Sequence, residues 1–250
     1  MYTLEVIAFT IAACIKAGES GAQRIELCDN PGEGGTTASY GMIRMAREKT
    51  TLQLYPIIRP RGGDFLYSDD EFNIMMRDIQ LCKDAGCDGV VIGLLKADGT
   101  IDGIRTARLV NAAYPMGVTF HRAFDRVRNA GEGLEQVIQC GCERILTSGL
   151  RPGVTEGSGN LKQLVEMAGE RIIIMPGSGL RSENIEAIAR STGAREFHSS
   201  ARRNIPSEMT YINAAMSEQL QSTDLDGEEV KAMASILHTL QQENKKQFSD

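Results

Sequence analysis

The feature that most constrains the fold is a short unit that occurs five times along the chain. In each copy a helical stretch ends in glycine, and four residues later an apolar run typical of a β-strand begins. Glycine is favoured at a helix end because the residue there often has a left-handed backbone, which carries no steric penalty in glycine. The copies lie at 21–25, 86–90, 141–145, 169–173 and 193–197. The repetition indicates a protein of alternating helices and strands.

Completing this pattern gives eight strand candidates, separated by segments with helical periodicity. Several strands are nearly continuous hydrophobic runs, which is typical of parallel strands covered on both faces. Strict alternation admits a (β/α)8 TIM barrel or a doubly wound open sheet. Eight units, without a GxGxxG motif after the first strand, favour the barrel. The strands are predicted at 3–8, 24–28, 53–59, 89–94, 117–121, 144–147, 171–175 and 196–198.

We expect a single TIM-barrel domain over residues 1–250, because this length suits one α/β barrel. No domain boundary or low-complexity linker interrupts the pattern. A long loop, residues 199–226, precedes a final helix predicted over 227–244. Loops of that length in a compact domain are usually functional or partly ordered.

Composition and charge exclude several classes of partner. The formal net charge of −6 at pH 7 argues against nonspecific attraction to nucleic acid or anionic lipid. The apolar stretch over residues 6–15 is too short to span a bilayer, and no basic stretch precedes it. Six cysteines without CxxC or zinc-type spacing lack the density of a disulfide-stapled secreted domain. We therefore expect a cytoplasmic protein without nucleic-acid or membrane partners.

Polar residues concentrate where the strands are predicted to end, which in a barrel enzyme is where the chemistry takes place. Glu5 and Glu26 each stand between apolar residues within a strand, so the alternation of side chains predicts that both face the barrel interior. An unpaired buried charge is strongly unfavourable, so both carboxylates need partners. The candidates follow the third and fifth strands: Arg59, Arg61, His121 and Arg122.

This group of residues has two interpretations. It is either a buried ion-pair network that closes the top of the barrel, or a candidate active site. In an active site Glu5 or Glu26 would be the general base, and His121 would be an acid or electrophile. The arginines would hold an anionic substrate.

The loops after the seventh and eighth strands predict an anion-binding site. Barrel enzymes often bind phosphate in this region through glycine-rich backbone amides and a helix N-terminus. The sequence reads Pro-Gly-Ser-Gly-Leu at 176–180 and His-Ser-Ser-Ala-Arg-Arg at 198–203. The predicted anion-binding residues are Gly177, Gly179, Ser199, Ser200 and Arg202.

Cys28, at the end of the second predicted strand, is the one thiol with a candidate binding role. It is either a small buried residue or a thiolate ligand of a soft metal such as Cu(I), which prefers sulfur donors. Met175, at the end of the seventh strand, could be a second soft ligand, although packing is its simpler role.

The sequence resembles the CutC family over nearly its whole length. The resemblance is carried by RIELC at 24–28, EGGTT at 33–37, PIIRPRGGDFLYSD at 56–69, VTFHRAFD at 118–125, RILTSG at 144–149 and EFHSSA at 196–201. It implies a TIM barrel, a cytoplasmic location, homo-oligomerisation and a role in copper homeostasis, with Cu(I) binding proposed for the group. The resemblance also implies a cysteine two residues after the glutamate of the first strand. Ile7 stands there, while Cys28 matches the second expected thiol.

Three functions therefore remain open. The first is a copper-homeostasis protein that binds a copper ion, as Cu(I), through Cys28. The second is a barrel enzyme that acts on a small anionic or phosphorylated substrate at the carboxyl ends of the strands. The third is a scaffold whose function resides in an oligomer surface.

Overall fold

Eight parallel strands lie around a common axis in the computed structural model, which describes residues 1–217 and 220–247. Hydrogen bonds join them in the orders β3-β2-β1-β8 and β4-β5-β6-β7. The two groups meet where Ile57 pairs with Val91, and again where β7 lies beside β8. The strands are β1 (Thr3–Ala8), β2 (Arg24–Leu27), β3 (Gln53–Pro56), β4 (Gly89–Ile92), β5 (Gly117–Phe120), β6 (Arg144–Thr147), β7 (Ile173–Pro176) and β8 (Glu196–Ser199). The predicted α/β class with (β/α)8 order is confirmed.

Helices connect these strands, and local sequence explains where several of them begin and end. Ser68 forms a capping box with Glu71 at the start of α3, and all five glycines of the repeated unit have positive φ. The helices are α1 (Ile11–Glu19), α2 (Tyr40–Lys49), α3 (Asp69–Asp84), α4 (Gly103–Ala113), α5 (Ala130–Gln139), α6 (Val154–Ala168), α7 (Ile185–Thr192) and α8 (Gly227–Gln247). None of the helices described is long and apolar enough to cross a membrane.

The third strand is shorter than predicted, since β3 ends at Pro56 rather than at residue 59. The amides of Ile57 and Ile58 still donate to β2 and β4, and beyond them the chain bonds to a loop. The Arg59 amide donates to Thr37 Oγ1, and the Thr37 amide donates to the Arg59 carbonyl, both at 2.9 Å. This pairing with the loop directs the Arg59 side chain toward the cavity at the carboxyl end of the barrel.

The connection over residues 199–226 contains secondary structure that periodicity did not predict. Strand β9 (Arg202–Ile205) pairs antiparallel with β10 (Ser222–Leu225). The Asp226 amide donates to the Ala201 carbonyl at 2.7 Å, and Lys16 on α1 forms an ion pair with Asp224. These contacts fasten both ends of the connection to the barrel, between β8 and α8.

Alternation along the strands separates two apolar regions. The larger core lies between the strands and the helices. A smaller cluster inside the barrel comprises Ile7, Cys28, Tyr55, Ile57 and Val91. Several of the remaining interior positions carry charged side chains, and the site described below is built from them.

The packing of α6 against the barrel allows a stability test. A Cβ atom on Gly157 would lie 1.8 Å from the Ser148 carbonyl oxygen, whereas one on Gly159 in the same helix would meet nothing within 4 Å. We expect Gly157→Ala to lower the free energy of unfolding by about 1–3 kcal/mol, because the helix must shift outward. Gly159→Ala, the control, should raise it by up to about 1 kcal/mol through helix propensity.

Urea denaturation of both variants measures the difference. Equal effects of the two substitutions would contradict close packing of α6 at Gly157.

Candidate active site at the barrel mouth

A cavity of about 860 Å³ opens at the carboxyl ends of β2 to β5. Glu26, Arg59, His121 and Arg122 line it, so four of the six predicted catalytic residues meet there. Lys96 and Arg126, which the sequence did not single out, lie exposed at its rim. The carboxyl end of a barrel is where ligand sites are built, because the loops that follow the strands converge there.

Arg59 is buried at this cavity without a carboxylate partner among the residues described. Its Nη1 donates to the carbonyls of Glu33 and Gly35, each at 2.7 Å, and Nη2 donates to the carbonyl of Gly63 at 2.9 Å. The guanidinium lies 5.1 Å from the centre of the Phe65 ring. No acceptor lies within hydrogen-bond geometry of its Nε–H in the described structure, although the Tyr67 hydroxyl lies near the guanidinium. Arg59 therefore brings a buried positive charge to the wall of the cavity, with one N–H unpaired.

His121 supplies a second unsatisfied donor. Its Nδ1 accepts a hydrogen bond from the Ala123 amide at 3.0 Å, so the ring proton of the neutral imidazole resides on Nε2. That Nε2 has no partner among the described residues. Burial and the charge of Arg59 lower the pKa of His121 to about 3, which keeps the ring neutral. A neutral N–H donor polarises a substrate oxygen without transferring a full proton.

Glu26 faces the same cavity from β2. Its side chain is 5% exposed and accepts no hydrogen bond from any described residue. His198 Nε2 lies 3.7 Å from Oε2, and the Glu5 carboxylate is a second charged neighbour. Burial raises the pKa of Glu26 to about 7, although the charge of His198 opposes the shift. Of the two glutamates proposed as a general base, Glu26 is the one that lines the cavity.

Glu5 is fully buried behind Glu26 and is committed to two partners. His198 Nδ1 lies 2.7 Å from Glu5 Oε1, and Arg24 donates through Nε to Oε2. Burial alone would raise the pKa of Glu5, but the charge of Arg24 and the hydrogen bond with His198 outweigh it and lower the pKa to about 2. Glu5 is therefore an ionised anchor for Arg24 and His198.

The predicted partners of the two glutamates were wrong. We expected the arginines and the histidine at the ends of the third and fifth strands to pair with the two glutamates. The β-sheet register instead places other charged residues beside Glu5. Glu5 pairs in register with Arg24 on β2 and with His198 on β8. Both partners lie on strands adjacent to β1, whereas Arg59 and His121 lie further round the barrel.

The ion-pair network continues down the barrel axis. Arg24 Nη2 and Arg144 Nε both donate to Glu196 Oε2, at 2.5 and 2.9 Å. Their guanidinium groups lie 5.3 and 5.4 Å from the centre of the Tyr55 ring, whose hydroxyl donates to Glu143 at 2.8 Å. The sequence interpretation as a buried ion-pair network therefore describes this inner layer, while the active-site interpretation concerns the cavity above it.

Arg122 and Arg61 brace the surrounding loops. Arg122 lines the cavity, and it donates to Asp125 Oδ2 at 2.8 Å and to Ser148 Oγ at 2.9 Å. Arg61 lies outside the cavity lining, where its Nε donates to Glu71 Oε1 at 2.5 Å at the start of α3. Its guanidinium thus holds the loop after β3 against that helix.

The residues predicted to bind an anion after β7 and β8 do not line the cavity. Ser199 Oγ donates to the Leu180 carbonyl at 2.7 Å, and the amide of Gly177 donates to a β6 carbonyl. Arg202 is exposed, and its guanidinium donates to the Pro31 carbonyl at 3.4 Å. Gly179 has a φ of 72° within its turn, and Ser200 is half-buried. The structure therefore separates these five residues from the mouth cavity.

Cys28 lies in the apolar cluster inside the barrel and is fully buried. Burial, reinforced by the charge of Glu26, raises the pKa of its thiol well above the ordinary value. Met175 accepts a contact from Arg24 Nη2 at 3.3 Å and is thereby tied to the ion-pair network. The Cys28 side chain thus packs in apolar surroundings, where burial disfavours the thiolate.

His198 and Arg24 are the functional-site residues that sequence reasoning missed. Both occupy inward positions of their strands, as Glu5 and Glu26 do. The alternation of side chains along β2 and β8 could have identified them, because it places both residues facing the barrel interior. A charged residue there needs an opposite charge on an adjacent strand.

Fold and site together define a (β/α)8 barrel with a cavity lined by charged residues at the carboxyl ends of its strands. The model of the CutC family matches residues 2–203, and the chain belongs to that family. It is 53% identical over 208 residues to a family protein CutC of Chromobacterium violaceum, which covers 83% of this chain and 84% of that protein. It is 50% identical over 217 residues to one of Bacteroides fragilis, which covers 86% of each chain.

Solved structures agree with this assignment. A crystal structure of a CutC from Streptococcus agalactiae, described as a proposed copper homeostasis protein, superposes with a TM-score of 0.76 at 34% identity, covering 80% of this chain and 99% of that one. A thiamine phosphate pyrophosphorylase from Pyrococcus furiosus superposes with a TM-score of 0.60 at 13% identity, covering 95% and 96%. The second likeness concerns the fold alone.

The interior network predicts a large stability effect at Arg24. Arg24→Met removes the guanidinium that the fully buried Glu5 shares with the half-buried Glu196, and should cost about 3–5 kcal/mol of unfolding free energy. Arg171→Met, the control, removes a solvent-screened ion pair with Glu135 in which both side chains are about half exposed, and should cost much less. Chemical denaturation of the two variants provides the comparison.

If Arg24→Met loses no more unfolding free energy than Arg171→Met, the interior charges are solvated.

Proposed function

We propose that this CutC-family chain is a barrel enzyme that acts on a small anionic molecule bound in the mouth cavity. The observation that carries the proposal is Arg59, a buried guanidinium with a free Nε–H and no carboxylate partner among the described residues. Burying a cation without a counter-charge is costly, and a bound carboxylate or phosphate would remove that cost. A role in stability alone does not require an unsatisfied charge at a cavity.

The donors around Arg59 support an anionic ligand. His121 adds its free Nε2–H, and Arg122, Arg126 and Lys96 add positive charge along the cavity wall. Four basic residues line the cavity against three acidic ones, Glu26, Glu33 and Asp64, so the lining has a small positive excess although the protein as a whole is negative. In the proposed arrangement Arg59 holds the anionic group and His121 donates to a substrate oxygen.

Glu26 marks the reacting end of the cavity. It is the buried carboxylate that lines the cavity, whereas Glu5 is committed to Arg24 and His198. A substrate held by Arg59 would lie with its reacting atoms between His121 and Glu26. This assigns catalytic contact to three of the six residues predicted from sequence and leaves Arg61 and Arg122 as loop braces.

Anion binding can be measured by calorimetry with inorganic phosphate, short carboxylic acids and sugar phosphates as probes. Arg59→Met should weaken whichever anion binds best by about 10- to 100-fold, the effect of losing a hydrogen bond to a charged group. His121→Phe keeps an aromatic ring, removes the Nε2 donor and should also weaken binding. Arg202→Met, the control, should leave affinity unchanged, because Arg202 does not line the cavity.

If Arg202→Met weakens anion binding and Arg59→Met does not, the anion site lies in the loops after β7 and β8 instead.

A role in copper homeostasis is the second candidate. The description of the Streptococcus agalactiae relative, 34% identical, favours it, as does the sequence resemblance. The donor atoms around Cys28, however, do not fit the Cu(I) site that the resemblance implies. The thiol is buried among Ile7, Tyr55, Ile57 and Val91, and tight binding of a soft ion requires at least two soft ligands. We therefore assign any copper role to a site other than Cys28.

Anaerobic titration with Cu(I) against a competing chelator tests this assignment. Cys28→Ser should bind Cu(I) no more weakly than the wild-type protein. The Cys28 thiol of the wild-type protein lies among apolar side chains, and burial there disfavours the thiolate that would bind the ion. Cys140→Ser, which removes the one half-buried thiol among six unpaired cysteines, serves as the control. Tight stoichiometric binding that disappears only in Cys28→Ser would establish a Cu(I) site there after all.

We also propose that the protein works in the cytoplasm as a homo-oligomer. All six cysteines are unpaired, which suits a reducing compartment. The oligomeric state follows from the family resemblance and stays a prediction, as does the absence of nucleic-acid and membrane partners.

A further inference from the structure

Glu26 combines three properties that are rarely found together. It is buried, it borders a cavity, and its carboxylate accepts no hydrogen bond from any described residue. Buried carboxylates normally have donors or a cation, so this group lacks a partner that its environment requires. We propose that Glu26 and His198, supported by Glu5, form a binding site for one divalent transition-metal ion at the buried end of the mouth cavity.

The distances fit an ion placed between two ligands. Glu26 Oε2 and His198 Nε2 are 3.7 Å apart, which is too long for a hydrogen bond. An ion bonded to both atoms at about 2.1 Å would subtend an angle of about 120°, which is compatible with distorted tetrahedral coordination. Glu5, Glu26 and His198 each have one ligand atom within 4.8 Å of a ligand atom of the other two.

The hydrogen bond behind His198 prepares its ring for a metal. Glu5 Oε1 lies 2.7 Å from Nδ1, and Arg24 fixes the orientation of that carboxylate. With Nδ1–H donating to Glu5, the lone pair of the neutral ring is on Nε2, the atom that faces Glu26. A carboxylate that orients a histidine from behind is the usual support of a histidine metal ligand.

The ion pairs inside the barrel leave Glu26 at the open end of the network. Arg24 binds Glu5 and Glu196, and Arg144 binds Glu196 and the partly exposed Glu143. Glu26 makes no ion pair with an arginine, and its one close cationic group is the imidazole of His198. When His198 is neutral, a bound cation would supply the positive charge that the Glu26 carboxylate lacks.

The cavity gives the ion an entry path and open coordination positions. Glu26 lines the cavity, so water or a substrate oxygen could complete the coordination from that side. Oxygen and imidazole donors select a divalent ion such as Zn²⁺, Co²⁺, Mn²⁺ or Cu²⁺ over Cu(I), which prefers sulfur. The inference does not depend on which anion the cavity binds.

Co²⁺ is the sharpest probe, because its visible absorption reports coordination geometry directly. The full chain, treated with EDTA and dialysed, should bind one equivalent of Co²⁺ and develop an absorption band that one equivalent of Zn²⁺ removes. Glu26→Gln and His198→Gln should each abolish the band. Circular dichroism and thermal unfolding without metal would establish that both variants fold.

Two controls separate this site from its neighbours. Glu33→Gln changes another acidic residue of the cavity lining and should leave the Co²⁺ spectrum and affinity unchanged. Cys28→Ser should also leave them unchanged. Absence of stoichiometric binding by the wild-type chain would overturn the proposal, as would an unaltered spectrum in Glu26→Gln. Loss of the band in Cys28→Ser would assign the metal to the thiol instead.

Should His198→Gln fail to fold, Glu26→Gln still decides the question, because that side chain makes no hydrogen bond whose loss would unfold the protein. Anion binding through Arg59 is measured separately without metal, so failure of either proposal leaves the other standing.

Discussion

Arg24, held between Glu5 and Glu196, is the interaction on which the interior of this barrel depends. Closing eight parallel strands turns alternate side chains toward one axis, where little water remains to solvate a charge. Arg24 lies 2.5 Å from Glu196 and also binds Glu5, which in turn fixes His198. Because one guanidinium serves two carboxylates on neighbouring strands, it couples strand register to the position of the histidine beneath the cavity.

The interior is therefore organised in two levels with different roles. The lower level, around Arg24, Arg144 and Tyr55, pairs its charges and contributes rigidity. The upper level leaves Glu26, Arg59 and His121 with unused hydrogen-bonding capacity at a cavity. Unsatisfied buried groups cost stability, so a fold retains them where a ligand supplies the missing partner. The lower level thus supports the upper one, which is where we place the chemistry.

The motifs that carry the CutC resemblance also supply the polar residues at and below the mouth cavity. The motif EFHSSA contains His198, which binds Glu5, and VTFHRAFD contains His121, which faces the cavity. Cys28, the residue linked by resemblance to copper, lies in an apolar cluster inside the barrel. The structure thus shifts attention from the thiol to the imidazole and carboxylate groups, which are donor types suited to a different class of metal.

The sequence by itself determined the alternation of strands and helices, the glycine-terminated helices and the inward direction of Glu5 and Glu26. These are local properties, set by residue periodicity and by the backbone freedom of glycine. It also brought Arg59, His121 and Arg122 to the carboxyl end, because strand ends are local features too. Only the tertiary structure decided which charges pair. Glu5 and His198 are separated by 193 positions and meet through the closure of β1 on β8. The antiparallel pair within 199–226 and the separation of Arg202 from the cavity arise in the same way, since both depend on contacts between distant segments that periodicity does not encode.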